Sequence, residues 1–268
     1  MKGSRFIKKT VFKHLRFIHL IRIGHIGSGK EQRFINIKIE TSFIMDDSLS
    51  FSITSDGSKT LYNSEVGEHY HSRHGALQES KHVFIESGLR YYLNNGSRKV
   101  NILELGFGTG LNFLISAEYC FSNGIELEYI GIEAYPLSLD IVMNTGYDQY
   151  ISPELWNTFI KEYNATLQQP IKLNSHCILG LSSNKLLNFH TDKMFDIIYF
   201  DAFAAIHQPE MWTETSLAHI CKFLCSGGVF VTYAITGNLK RTMKTLGFSI
   251  EKVVGAPGKR EMLRAVKI

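Results

Sequence analysis

Three carboxylates stand at the ends of apolar runs: Glu104 in NILELGFGTGLN, Glu133 in LEYIGIEA and Asp201 in FDIIYFDAF. After Glu104 come Gly106, Gly108 and Gly110, which open a helix beginning near Asn112. Glycines at alternate positions permit a tight turn and let a ligand come close to the backbone. Glu133 lies 23 residues after Gly110, at the end of the next strand. A carboxylate there can accept hydrogen bonds from both hydroxyls of a ribose. Dinucleotides and other adenosine ligands share that requirement, so the pair alone leaves the ligand open. The spacing E-x-G-x-G-x-G decides further, because it lacks the G-x-G-x-x-G step that seats a pyrophosphate on a helix N-terminus. S-adenosylmethionine has no phosphate; it has a sulfonium and an amino-acid tail, for which Glu104 and the loop carbonyls are suitable acceptors. The expected cofactor is therefore S-adenosylmethionine, with Glu104, Gly106, Gly108, Gly110, Asn112 and Glu133 around it.

Asp201 faces different chemistry. In a doubly wound sheet, ligands bind beyond the carboxyl ends of the strands, where strand order reverses. A carboxylate placed there suits methylation of an amine. The nitrogen must be neutral to attack, so a nearby group has to take its proton or a hydrogen bond from it. Phe203, two residues on, offers a ring on which a splayed-out base can stack. Tyr233, at the next strand end, is the second candidate base. The plainer role for Asp201 is that of a helix N-cap.

These residues require a scaffold that brings strand ends together, and the pattern supplies one. From Val100 onward apolar strand segments alternate with amphipathic ones: VNILELG, LNFLISAEYCF, LEYIGIEA, LSLDIVMNT, IKLNSHCILG, FDIIYFDAF, a helix around Leu217–Leu224, GGVFVTYA and a helix at Asn238–Leu246. FSIEKVVG and EMLRAVKI close the chain as an antiparallel hairpin. This alternation predicts an α/β fold, a Rossmann-like sheet with helices on both faces. Before it, FSITSDGSKTLY reads as a hairpin around Ser-Asp-Gly, and Tyr70–Leu93 has helical apolar spacing. The expected division is a leader over residues 1–44, a hairpin and helix over 45–95, and the Rossmann-like domain over 96–268.

Charge is unevenly spread. The chain has 268 residues and a net charge of +4, but residues 1–44 alone hold ten Lys/Arg against two Glu. The remainder, with 19 Lys/Arg and 23 Asp/Glu, is mildly acidic. Any contact with nucleic acid must then come from a local patch. The leader is expected to be dispensable or disordered, with Met45 as an alternative start. Its GHIGSGK resembles a phosphate loop, but Glu31 stands where that motif needs a hydroxyl, so it reads as a chance match. No stretch of about eighteen residues is apolar and free of charge, so no membrane span is expected. Cys120, Cys177, Cys221 and Cys225 show no metal-like spacing and read as thiols in a reducing cytosol. His69, His71 and His74 read as a solvated face, and Lys259 and Arg260 as an exposed turn within reach of RNA phosphates.

LELGFGTGLN, IEAYPL, FDAFAAIHQPEMWTE, GGVFVTYAITGNLKRTMKTLGF and PGKREMLRA occur in that order. Together they resemble the methyltransferase domain of the bifunctional tRNA 5-methylaminomethyl-2-thiouridine biosynthesis proteins (MnmC) and their stand-alone relatives, over about residues 70–268. The resemblance implies methylation of the exocyclic amine of 5-aminomethyluridine, thiolated or not, at the tRNA wobble position in the cytoplasm. It places Asp201 nearest the amine and Glu104, Gly106 and Glu133 on the cofactor, and it suggests that Gln78 and Glu79 cover the cofactor. It also implies functional partners that make the aminomethyl precursor. No second glycine fingerprint or room for a flavin domain is seen in this chain. Two departures stand out. Gly180, which the resemblance places on the cofactor, is followed by Leu181 where the family has an Asp near the adenine amine, and Ala205 replaces a loop proline. The alternatives are an aminopropyl or small-amine transferase on the same fold, and a non-catalytic Rossmann module that binds RNA.

Overall fold

The computed structural model describes residues 48–268, which form one compact unit. The expectations for residues 1–44, for GHIGSGK and for Met45 lie outside the described residues. At the start of the unit, β1 (Leu49–Ile53), β2 (Lys59–Asn63) and β3 (Glu68–His69) make a small antiparallel sheet. The expected hairpin thus gains a third, two-residue strand. A helix follows in three parts: α1 (Ala76–Ser80), a π-helical stretch Lys81–Arg90, and α2 (Tyr91–Leu93). Ser72–Gly75 precede it as a turn, so the helix begins six residues later than its apolar spacing suggests.

The main sheet contains β4 (Lys99–Leu105), β5 (Glu126–Ile132), β6 (Ile171–Lys172), β7 (Cys177–Ser182), β8 (Phe195–Phe200), β9 (Leu224–Thr232), β10 (Phe248–Val254) and β11 (Glu261–Lys267). Their spatial order is β10-β11-β9-β8-β4-β5-β7-β6. Strands β7, β5, β4, β8 and β9 run parallel, while β6, β10 and β11 pair antiparallel. The segment IKLNSHCILG, read as one strand, folds back on itself as β6 and β7 because Asn174 and Ser175 turn the chain. The helices are α3 (Leu111–Ser122), α4 (Leu139–Met143), α5 (Pro153–Thr166), α6 (Glu214–Cys221) and α7 (Gly237–Thr245).

Alternation along the strands explains the layering. Ile102, Ile197, Tyr199 and Val229 pack into one core with Val83, Phe84, Phe113 and Phe159. Their neighbours Leu103, Ile198, Phe200 and Phe230 pack into the other core with Leu217, Ile220, Leu239 and Met243. Successive side chains of a strand point to opposite faces, so a sheet covered on both sides needs apolar residues at every position. Leu61, Ala76, Val83 and Leu89 belong to the first of these cores. The small sheet and its helix therefore share apolar packing with the Rossmann-like sheet.

The chain passes from β4 to β5 and β7 on one side, then returns to β8 and β9 on the other. Strand order reverses between β4 and β8, and ligands of such sheets sit at that point. The last residues of the two strands are Leu105 and Phe200. Gly106 and Asp201 are the residues that follow them.

Candidate active site

The glycine turn and Asp201 are built against each other. The Asp201 amide donates to the Leu105 carbonyl at 2.9 Å. A Cβ on Gly106 would collide with the Asp201 carbonyl oxygen, and Gly106 also has φ of +84°. Only glycine meets both conditions comfortably. Gly108 and Gly110 likewise have positive φ, and Gly110 starts α3 in a left-handed conformation.

Asn112, in the first turn of α3, is buried and ties two strand ends together. Its Nδ2 donates to Glu104 Oε1 and to Asp201 Oδ2, both at 2.8 Å. Burial pushes Glu104 well above the ordinary carboxylate range, and the charge on Asp201 adds to the effect. Burial also raises Asp201, to about 7; Glu79 and Glu68 push the same way, while Asn112 and Lys259 oppose. Asp201 is therefore not a helix N-cap. An irregular loop follows it, and the next α-helix, α6, is capped by Thr213.

Glu133 follows β5. Its Oε2 accepts from the Gly108 amide and its Oε1 from the Tyr135 amide, each at 3.0 Å. The same carboxylate thus sets the glycine loop and keeps further lone pairs for a ligand. Burial raises its pKa against these two hydrogen bonds.

Above the loop, the ring of Tyr70 meets that of Phe203 edge to face, with centroids 5.1 Å apart. Trp212 Nε1 donates to the Phe203 carbonyl at 2.8 Å, which holds the loop after Asp201. Glu68 Oε2 accepts from the Ala204 amide at 2.8 Å. Glu79 is buried and accepts from the Ser72 amide at 2.8 Å and from Lys259 Nζ at 2.6 Å.

Not every residue singled out from the sequence joins this cluster. Tyr233 is close, but its hydroxyl donates to the Ala202 carbonyl at 2.9 Å, and burial pushes its pKa far above the ordinary phenol value. That arrangement braces the Asp201 loop and does not suit a base. Gln78 is exposed, with its amide donating to Asp56. Gly180 lies inside β7, paired with Ile130, and a Cβ there would meet Pro170 Cγ at 3.3 Å. It admits Pro170 and does not belong to the strand-end cluster. Leu181, in the place of the family's Asp, is buried, and its Cδ2 would lie 2.9 Å from a Cβ on Gly131.

Of the histidines expected on a solvated face, His71 departs from it. His71 faces Thr60 Oγ1 at 3.3 Å, and burial lowers it to about 4. His74 is exposed and lies against Gly258, where a Cβ would strike its ring. Among the described residues, no group of three or more His, Cys, Asp or Glu could hold a metal ion. Lys259 is the main departure: expected on an exposed turn, it points inward to Glu79 and lies 3.7 Å from the centroid of the Tyr233 ring. A Pro-Gly turn signals exposure, so the pattern hid Lys259, and Glu68 carried no periodic signal either.

The residues fit the cofactor expected from the sequence. Asn112 Oδ1 is buried with no hydrogen-bond partner in the protein, whereas Glu104 has the Asn112 amide and the nearby Tyr129 hydroxyl. Buried polar atoms are nearly always paired, so an orphaned acceptor beside a glycine turn calls for a donor from a ligand. An aminoacyl ammonium is such a donor, and a ribose supplies hydroxyls to Glu133.

Comparison with known proteins agrees with this geometry. Residues 152–268 match a family described as S-adenosyl-L-methionine-dependent methyltransferase. The chain is 30% identical over 212 residues to the tRNA 5-methylaminomethyl-2-thiouridine biosynthesis bifunctional protein MnmC of Pseudomonas syringae pv. syringae, covering 74% of this chain and 32% of that one. With the protein of the same name from Idiomarina loihiensis it is 31% identical over 211 residues, 72% of this chain and 34% of that one. The chain thus spans about a third of the length of these curated relatives. The crystal structure of MNMC2 from Aquifex aeolicus superposes with a TM-score of 0.68 at 23% identity, covering 82% of this chain and 71% of that one. At that identity the likeness establishes the fold: the class I methyltransferase sheet with helices on both faces. The resemblance carried by the sequence motifs is thereby found again over about three quarters of the chain. No helix among the described residues is long and apolar enough to cross a membrane.

Proposed function

We propose that this methyltransferase acts on the exocyclic amine of 5-aminomethyluridine, thiolated or not, at the wobble position of tRNA, in the cytoplasm. The observation that carries the reading is Asp201. It is a carboxylate fixed where strand order reverses, flanked by Glu68, Glu79 and Glu104 and held at a pKa of about 7. Such an acid-rich pocket favours a cationic substrate group, and an aminomethyl group is an ammonium at neutral pH.

When bound, S-adenosylmethionine supplies an electrophilic methyl group on a positively charged sulfur. Glu104, Asn112, Glu133 and the glycine turn hold that cofactor. Asp201 takes the proton that the substrate ammonium must lose, and Asn112 Nδ2 aims the receiving carboxylate. An acceptor whose pKa lies near the working pH is the most effective kind, because it is partly ionised yet still basic. Phe203, steadied by Tyr70 and Trp212, offers a ring for an unstacked uracil. The small-amine alternative uses the same carboxylates, but the relatives named above support a tRNA substrate. A non-catalytic module would have no need of a carboxylate so aimed.

The test is methyl transfer to tRNA that carries 5-aminomethyl-2-thiouridine, read by mass spectrometry of the wobble nucleoside. Product at that nucleoside supports the reading. In Asp201→Asn, turnover should fall about 10²–10⁴-fold, the usual contribution of a positioned acid–base group, with partial rescue as pH rises. Methylation of free amines and none of tRNA would favour the small-amine alternative.

A further inference from the structure

The site contains more negative charge than its hydrogen bonds account for. Asp201 faces Glu79 from α1, Glu68 from β3 and Glu104 from β4, with Asn112 from α3 and Tyr233 beyond β9. Among the described residues, the cation facing them is Lys259, delivered by the turn between β10 and β11. Its ammonium lies 2.6 Å from Glu79 Oε1 and 3.7 Å from the centroid of the Tyr233 ring. Tyr233 in turn donates to the Ala202 carbonyl, one residue after Asp201.

The turn is shaped to deliver this side chain. Gly258 has φ of +86° and allows close approach of the His74 ring. The Lys259 amide donates to the Ala256 carbonyl at 2.8 Å, and the Gly255 amide to the Arg260 carbonyl at 3.1 Å. A Cβ on Gly255 would lie 2.5 Å from the Lys259 carbonyl oxygen. A turn held this way has little freedom to turn Lys259 outward, and only 34% of that side chain is exposed.

We propose that Lys259 is a positioning residue of the active site: clamped between Glu79 and the Tyr233 ring, it supplies the counter-charge that lets Glu68, Glu79 and Asp201 stand together around the substrate amine. The assignment of Asp201 to the amine rests on the function proposed above. The charge linkage itself does not. Removing the cation leaves Glu79 and Asp201 as facing like charges, which favours protonation of Asp201. Removing the Glu79 charge frees Lys259 for Asp201 and favours its ionised form. A brace that served folding alone would give neither response.

The experiment is a ¹³C NMR titration of aspartate carboxyl groups in the free protein, with Asp201 assigned by the loss of its signal in Asp201→Asn. The Asp201 midpoint should rise by about one pH unit in Lys259→Gln, the lower range for loss of a nearby opposite charge. In Lys259→Arg it should stay close to that of the unsubstituted protein, and in Glu79→Gln it should fall. The acidic limb of the pH–rate profile should move in the same directions. If Lys259→Gln does not fold, Glu79→Gln reads the same linkage with the opposite sign. A midpoint unmoved in both charge-removing variants, or moved the same way in both, overturns the proposal. Midpoints that move as expected in a protein that methylates no tRNA would uphold the linkage and reject the proposed substrate.

Discussion

Asp201 should make the folded protein less stable at neutral pH than it would be without that carboxylate. In the unfolded chain its pKa is near 3.8, and in the folded protein it is raised to about 7. Between these values the folded state holds a proton that the unfolded state has released. Stability contributed by this group is therefore present at low pH and falls as pH rises through the window, with the loss complete above about 7. Each pKa unit corresponds to about 1.4 kcal/mol, so a gap of about three units sets an upper bound near 4 kcal/mol. Asp201→Asn removes the titration while keeping an oxygen to accept from Asn112 Nδ2. Urea unfolding of both proteins at pH 5 and pH 8 should show the variant gaining about 2–3 kcal/mol more at the higher pH, because titration of groups not coupled to Asp201 cancels in the difference. An advantage of equal size at both pH values would refute the placement of Asp201 in a buried, acid-rich pocket.

The cofactor side can be tested in the same way. Glu133→Ala should weaken S-adenosylhomocysteine binding by about 1–3 kcal/mol in calorimetry, since it removes a ribose acceptor and frees the Gly108 amide. Asn112→Ala should lower stability by about 1–3 kcal/mol, because Glu104 and Asp201 lose a shared donor. Unchanged urea midpoints would show that water replaces that amide. Gly106→Ala should abolish measurable S-adenosylhomocysteine binding and lower the melting temperature. Gly124→Ala, also at positive φ but with no atom within 4 Å of a Cβ, should cost only the backbone strain of about 1–2 kcal/mol and leave binding intact.

The contrast between these glycines also shows what a sequence can and cannot disclose. Glu104, Gly106, Glu133 and Asp201 were legible because each sits at the end of an apolar strand, and the alternation that predicts parallel strands also predicts where their ends converge. Asn112 was legible as the start of the helix after the glycines; its bridge between two carboxylates was not, since β4 and β8 become neighbours only through the reversal of strand order. Gly180 looked like part of the site because it adjoined a family motif, but its place is set by packing against Pro170. Lys259 shows the limit most clearly. A Pro-Gly turn predicts a lysine exposed to solvent, and local chemistry gives no other answer. Its inward course follows from Glu79, 180 residues away in the chain, and from Tyr233, whose ring faces the ammonium. Charge balance inside a site is thus decided by residues that the fold brings together from distant parts of the chain. The acids can be read one strand at a time, whereas the cation opposing them emerges only when the last hairpin closes over the sheet.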